Sequence, residues 1–338
     1  MTVSATATDS PQAGASHAPD GAATIIDNPL GAGPAGSALA ASRALCARIV
    51  RTRARNFYHG LRLLPEPKRS AMYAIYAWMR AADDAVDTAG STEERRRRLH
   101  EFRERTDDLL AGRRLAASEV NGDAVIWPSL IDAMARFPID RRILLDTLSG
   151  MEDDLTTFQY QSRQELSTYC YRVASTVGLA CVRVWGLKDP SPAGRARADE
   201  LAIMRGQAFQ RTNILRDFAQ DFDESPRRVY IPREELERHG LTAEDLRAWA
   251  RPVACESLVR EFARTARGFY EASSPLDGMI EDDSRATLWA MTSIYSGILR
   301  IIEREPRRIV SGGRIRLPGL EKAALALRAV MKSRTQRW

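Results

Sequence analysis

Tyr76-Ala77-Trp78-Met79-Arg80-Ala81-Ala82-Asp83-Asp84-Ala85-Val86-Asp87 is the stretch on which the fold turns. With the residues before it, Met72, Ile75, Tyr76 and Met79 fall at i, i+3, i+4 and i+7, one apolar stripe of an α-helix. Asp83 and Asp87 continue the same helix. At i and i+4 their side chains share a face, with Cβ atoms roughly 5–6 Å apart. A second stretch repeats the pattern: Asn213-Ile214-Leu215-Arg216-Asp217-Phe218-Ala219-Gln220-Asp221. No other pair of aspartates in the chain stands four residues apart.

Two like charges at this spacing weaken a helix by ~0.2–0.5 kcal/mol unless a cation lies between them. Each pair follows a mostly apolar run, so the carboxylates are expected to face inward. Buried without a partner, a carboxylate is costly or takes up a proton. A hard cation with oxygen ligands removes the conflict. Mg²⁺ fits, because it takes one or two carboxylates, waters and substrate phosphates; Mn²⁺ is the alternative. An arginine stands beside each pair, Arg80 and Arg216, and guanidinium binds phosphate oxygens in bidentate fashion. The combination reads as a magnesium-bound diphosphate inside a helical bundle. A diphosphate so held is a good leaving group, and aromatic faces such as Phe57, Tyr58, Tyr73, Tyr76, Trp78, Tyr169, Tyr171 and Phe218 suit a carbocation left behind.

The helical pattern extends in both directions. Leu144, Leu145, Leu148, Met151 and Leu155 form a second stripe, and Ile203, Ala208, Ile214, Leu215 and Phe218 a looser third. Breaks fall at Pro65-Glu66-Pro67, Asn121-Gly122-Asp123, Lys188 to Pro192, Ser225-Pro226 and Ser311-Gly312-Gly313. No sustained alternation of β-branched residues predicts a sheet. The expectation is one all-α domain over residues 41–338. Residues 1–40, rich in Ala, Gly, Ser, Thr and Pro with no Lys or Arg, read as a disordered tail.

Net charge +6 and a pI near 9.3 suit an anionic partner. A nucleic-acid surface is not expected, because Arg95 to Arg98 interleave with Glu93, Glu94 and Glu101, the pattern of a solvated helix face. Cys46, Cys170, Cys181 and Cys255 form no CxxC pair and the four histidines lie far apart, so reduced thiols, a cytoplasmic setting and no zinc site are expected. No apolar run reaches the ~18 residues of a membrane span. The basic C-terminus with Trp338 leaves room for peripheral contact with the inner face of a membrane.

Five ordered blocks resemble the squalene and phytoene synthases, over about residues 53–330. They are Arg55-Asn56-Phe57-Tyr58-His59-Gly60-Leu61-Arg62-Leu63-Leu64-Pro65, Ala74 to Asp87, Tyr169 to Gly178, Gly206 to Asp221 and Arg228-Val229-Tyr230-Ile231-Pro232. The resemblance implies an isoprenoid-synthase bundle around a central cavity. It implies joining two prenyl diphosphates head to head through a cyclopropylcarbinyl diphosphate. By the same resemblance, Asp83, Asp87, Asn213, Asp217 and Asp221 would hold Mg²⁺. Arg55, Asn56, Arg80, Gln210, Arg216, Arg228 and Tyr230 would bind diphosphate or orient the metal shell. Tyr169, Arg80 and Arg216 would act in catalysis. Tyr76, Ala174, Val177 and Gly178 would line the site and its tunnel.

Three positions depart from the family pattern: Ser175 and Arg227 stand where glycine is common, and Arg211 where an apolar residue is usual. The look of the Tyr58–Pro65 and Ser175–Gly178 blocks leans slightly to the C15 route, farnesyl diphosphate to presqualene diphosphate or squalene, with NADPH if the reductive step occurs here. The alternative is condensation of two C20 geranylgeranyl diphosphates to phytoene. In a different class stands a non-catalytic protein that binds prenyl diphosphates or assembles downstream isoprenoid enzymes.

Overall fold

The computed structural model describes residues 35–54, 56–112 and 126–335. Among these residues the regular elements are helices, with two isolated bridges, Gln159–Val229 and Leu187–Ile280. In chain order they are α1 Ala35–Arg53, α2 Asn56–Leu61, α3 Lys68–Asp87, α4 Thr92–Leu110, α5 Trp127–Arg136, α6 Arg141–Thr156 and α7 Arg163–Cys170. A π-helical turn, Tyr171–Ser175, leads into α8 Thr176–Trp185. Then follow α9 Pro192–Asp223, α10 Arg233–Arg238, α11 Ala243–Ala248, α12 Pro252–Ala272, α13 Leu276–Met279 and α14 Asp282–Arg304. A 3₁₀ turn, Pro306–Val310, precedes α15 Gly319–Thr335.

Helix starts follow local chemistry. Ser91 and Glu94 form a capping box at α4, and Ser191 accepts the Gly194 N–H at the start of α9, with Pro192 in the first position. On α4, Arg96 pairs with Glu93 and Arg97 with Glu101, the solvated face expected of this run. Helix α1 begins at Ala35, within the last residues of the segment read as a tail. Ala-Gly-Ser-Ala-Leu-Ala contains three alanines, the best helix former, and the composition that suggested disorder concealed this. Residues 1–34 and the break at 121–123 lie outside the described residues.

Two buried apolar clusters build the interior. The first is centred on α3, α5, α6 and α8; the second on α7, α12, α14 and the later half of α9. Helix α9 crosses both, giving Leu201 and Ala202 to the first and Ile214, Leu215 and Phe218 to the second. Phe57 and Phe209 pack against both clusters. A cavity of about 230 Å³ runs along this seam.

Candidate active site

The first aspartate pair closes α3 and the second closes α9. Arginine supplies the counter-charge to each. The Arg80 guanidinium lies 2.5 Å from Asp84, 3.7 Å from Asp83 and 3.9 Å from Asp87. Arg216 donates to both oxygens of Asp217 at 2.8 and 2.5 Å, and Arg314 donates to the same two at 2.9 and 3.0 Å. The Arg228 N–H donates to the Asp221 carbonyl at 2.9 Å.

Burial raises the Asp83 carboxyl to about 7, with Asp87, Asp154 and Asp84 pushing the same way and Arg80 opposing. Asp83 keeps 43% of its side-chain surface open, so it borders the cleft and is not sealed in the core. Asp221 is likewise raised to about 7, first by burial and then by Asp217 and Glu224. Asp154 on α6 pushes both carboxyls the same way.

Among the described residues no group of three or more His, Cys, Asp or Glu side chains is gathered tightly enough to hold a metal ion. Asp217 is paired with Arg216 and Arg314, and Arg80 lies among Asp83, Asp84 and Asp87. The donor chemistry nevertheless fits Mg²⁺. All available ligands are oxygens, two carboxyls have raised pKa values, and Asn213 Oδ1 is buried without a hydrogen-bond partner while its Nδ2 donates to Gln210 at 3.3 Å.

Beside the pairs stands a group of tyrosines around Asp154. Tyr169 and Tyr230 donate to its two oxygens at 3.2 and 3.0 Å, and their rings stack with centroids 5.2 Å apart. Tyr160 packs on Tyr169 at 5.1 Å. Burial raises Asp154 to about 6, opposed by Arg228 and the two hydroxyls. Burial, followed by the Asp154 charge, holds the Tyr169 hydroxyl well above its ordinary pKa, so it keeps its proton.

Tyr76, Ala174, Val177, Gly178, Gln210 and Asn213 all line the 230 Å³ cavity. Its other walls are almost wholly apolar. The π turn puts Val173 and Ala174 on this wall, and it is tightly clasped. A Cβ on Gly206 would lie 2.4 Å from Ser175 Cα, and one on Gly150 2.6 Å from Val173 Cγ1. A second cavity of about 580 Å³ adjoins the mouth, lined by Arg53, His59, Arg216, Arg314 and Arg316. Arg55 and the side chain of Asn56 lie outside the described residues.

The departures from the family pattern find local reasons. Ser175 fits because Gly206 faces it, and its hydroxyl donates to the Ile203 carbonyl at 2.8 Å. Arg211 is buried on α9, donates to Gln207 and to Ser167 Oγ, and lies over the Phe269 ring at 5.1 Å. It staples α7 and α12 to α9 and is not part of a basic rim. Arg227 covers Phe222 at 4.0 Å and pairs with Glu244 in an exposed loop. Sequence reasoning missed Asp154 and Arg314. Asp154 stands in Asp153-Asp154-Leu155, where the i+4 rule gives no signal, and Arg314 reaches a partner 97 residues away.

Helix-borne aspartate pairs at the mouth of an apolar cavity are the setting in which the chain's relatives become informative. The squalene/phytoene synthase family model matches residues 50–321. The chain belongs to this family. It is similar to the 15-cis-phytoene synthase of Synechocystis sp., 32% identical over 265 residues that cover 77% of this chain and 76% of the relative. The phytoene synthase of Mycobacterium bovis is 34% identical over 290 residues, 85% and 90% of the two chains. A crystal structure of a dehydrosqualene synthase in complex with ligand superposes with a TM-score of 0.73 at 24% identity, covering 89% of this chain and 99% of that one. Squalene synthase HpnC from Alicyclobacillus acidocaldarius gives 0.69 at 22%, covering 81% and 98%. At these identities the two structures speak for the fold alone. Family membership makes the protein a prenyltransferase of the head-to-head type acting on prenyl diphosphates, in a family generally dependent on Mg²⁺. Among the described residues no helix is long and apolar enough to cross a membrane.

Proposed function

We propose that the protein condenses two geranylgeranyl diphosphates head to head to phytoene, a step of carotenoid biosynthesis. The observation that carries the C20 choice is the similarity to phytoene synthases at 32–34% identity over most of the chain. This favours the C20 alternative over the slight C15 lean drawn from the Tyr58–Pro65 and Ser175–Gly178 blocks, whose look does not measure cavity depth.

Asp83, Asp87, Asn213, Asp217 and Asp221 would hold Mg²⁺, which when bound neutralises diphosphate charge as a Lewis acid. Arg80, Arg216, Arg228 and Arg314 take diphosphate oxygens in exchange for their present partners, and family resemblance adds Arg55 and Asn56 to this set. Gln210 orients Asn213. Tyr76, Ala174, Val177 and Gly178 hold the prenyl chain in a dry wall where water cannot quench an allylic cation. Tyr169 keeps its proton, which it donates to Asp154 here, and would turn that hydrogen bond to the departing diphosphate while its ring stays stacked on Tyr230. The hydrocarbon product partitions into a bilayer, which makes a membrane surface its natural acceptor.

Purified protein with Mg²⁺ and either all-trans C15 or C20 diphosphate, with and without NADPH, tests this by mass analysis of the extract. A C40 triene from C20 is expected. A C30 product or presqualene diphosphate from C15 alone would restore the squalene-type reading. Binding without condensation would mean a non-catalytic protein. Asp83→Ala and Asp217→Ala should abolish turnover with unchanged helical circular dichroism; normal activity in either would sink the metal-site assignment.

A further inference from the structure

The cavity-lining residues lead to one end remote from the aspartates, and a partly buried lysine, Lys68, stands beside it. On α3 the cavity-lining residues run back from Tyr76 through Ile75 to Met72, eleven residues from Asp83, or ~16 Å of helix. On α8 they run from Val177 through Gly178, Cys181 and Val182 to Trp185, the helix's last residue. On α14 they run from Tyr295, near Arg216, back through Met291 to Leu288. All three lines lead away from the aspartates. They meet around Trp185 and Leu276, both almost fully buried.

Trp185 sits at a helix C-terminus, where the carbonyl has no intrahelical partner. Lys68, in the first position of α3 and with only 12% of its side chain exposed, supplies one. Its Nζ donates to the Trp185 carbonyl at 2.7 Å, Glu281 Oε2 at 2.6 Å and Asp283 Oδ1 at 2.7 Å, using all three N–H groups, with Ser284 Oγ at 3.3 Å. The following residue, Gly186, has φ +81°, and a Cβ there would lie 2.5 Å from the Glu281 carboxyl. One ammonium thus ties the starts of α3 and α14 to the end of α8. On the other side of the cavity end, Arg205 fixes the segment bearing Leu276. It donates to Ser273 Oγ at 2.8 Å, the Ser273 carbonyl at 2.9 Å and Asp277 Oδ1 at 3.2 Å. The Trp185 indole N–H is buried without a hydrogen-bond partner. An unpaired buried donor on an apolar wall is costly, and the face of a terminal isoprene double bond would accept it.

We propose that Trp185 and Leu276 form the stop that sets the longest prenyl chain accepted, and that Lys68 is the positioning residue that holds Trp185 in place. This rests on the head-to-head prenyl diphosphate reading and deepens it: substrate length is measured at the end of the cavity remote from the aspartates. Lys68 touches no substrate; it acts through the backbone of Trp185.

The test compares wild type, Trp185→Leu, Lys68→Met and Lys68→Arg. Each receives an equimolar mixture of C15, C20 and C25 diphosphates with Mg²⁺, and products are resolved by mass. In parallel, calorimetric titration gives the ratio of C25 to C20 dissociation constants, a readout that needs no turnover. Trp185→Leu is expected to raise the share of C25-derived product about tenfold and to narrow the binding ratio similarly. Lys68→Met should shift both the same way by severalfold, and Lys68→Arg should return them towards wild type. A merely structural lysine would lower all products together and leave the ratios unmoved; that result in a folded variant overturns the positioning role. Unchanged ratios in Trp185→Leu overturn the stop itself. Should Lys68→Met fail to fold, Asp283→Asn loosens the same ammonium at an exposed partner and must shift the ratios in the same direction. Absence of condensation in wild type counts against the functional reading alone, because the binding ratios still report on the stop.

Discussion

Asp83 and Asp221 are carboxylates that the fold holds at a cost. Both are raised from the ordinary 3.8 to about 7. Between those values the folded chain binds more protons than the unfolded one. Stability from these groups is therefore present at low pH and is lost as pH rises through about 7. The metal-free protein should show a falling melting temperature across this window. Mg²⁺ should raise the melting temperature more at about pH 8 than at about pH 6, because it replaces protons on these oxygens. The doubly substituted Asp83→Asn, Asp221→Asn protein should lose the slope above about pH 6, Asp154 keeping part of it below, and most of the Mg²⁺ response in a thermal-shift assay. Tyr169 presents the opposite case, a phenol that keeps its proton across the working range. Tyr169→Phe removes one hydroxyl while the ring stack with Tyr160 and Tyr230 remains. It should lower kcat by ~10²-fold or more with KM changed only severalfold. A rise in KM with kcat unchanged would assign Tyr169 to binding.

The contact of α9 with the π turn is the tightest joint near the site. Gly206→Ala would put a methyl group 2.4 Å from Ser175 Cα and 2.6 Å from its N, backbone atoms that cannot rotate away. A loss of about 2–3 kcal/mol is expected from overpacking. Gly268, on the exposed side of α12, has no atom within 4 Å of the point a Cβ would occupy, and Gly268→Ala should gain about 0.5–1 kcal/mol from helix propensity. Urea midpoints of the two variants must move in opposite directions. The helices themselves were legible because their stripes are local: Met72, Ile75, Tyr76 and Met79 all face the cavity from one side of α3. The π turn was not legible. It widens one turn of an otherwise helical run, and the glycines packed closely against it, Gly150 and Gly206, lie 21 residues before and 31 residues after its ends.

Taken together, the chain gathers two arginine-neutralised aspartate helices at one end of a seam between two apolar clusters, and a cationic recess beside them. The net charge of +6 is therefore unevenly useful: Arg53, Arg216, Arg314 and Arg316 surround the entrance. Screening should act on capture and not on the enclosed chemistry. Raising NaCl from about 0.05 to about 0.5 M is expected to lower kcat/KM severalfold while kcat changes by less than about twofold. Equal changes in both would remove the recess from the capture step. The aspartate pairs were read from their i, i+4 spacing, and Asn213 and the small tunnel residues only from family resemblance. Arg314, Asp154 and the Lys68 cluster could not, since their contacts join segments 97, 76 and 213 residues apart. Charge composition foretold an anionic ligand but gave no hint of where it enters.

Trp185 has one more consequence. Its indole is shut away from water and its N–H is unpaired. Tryptophan emission in such a setting is blue and sensitive to any new neighbour. An isoprenoid tail arriving at the far wall would change that emission directly, whereas a shorter tail bound at the same entrance would leave it dark to the event. The protein carries its own optical ruler for the molecules it binds.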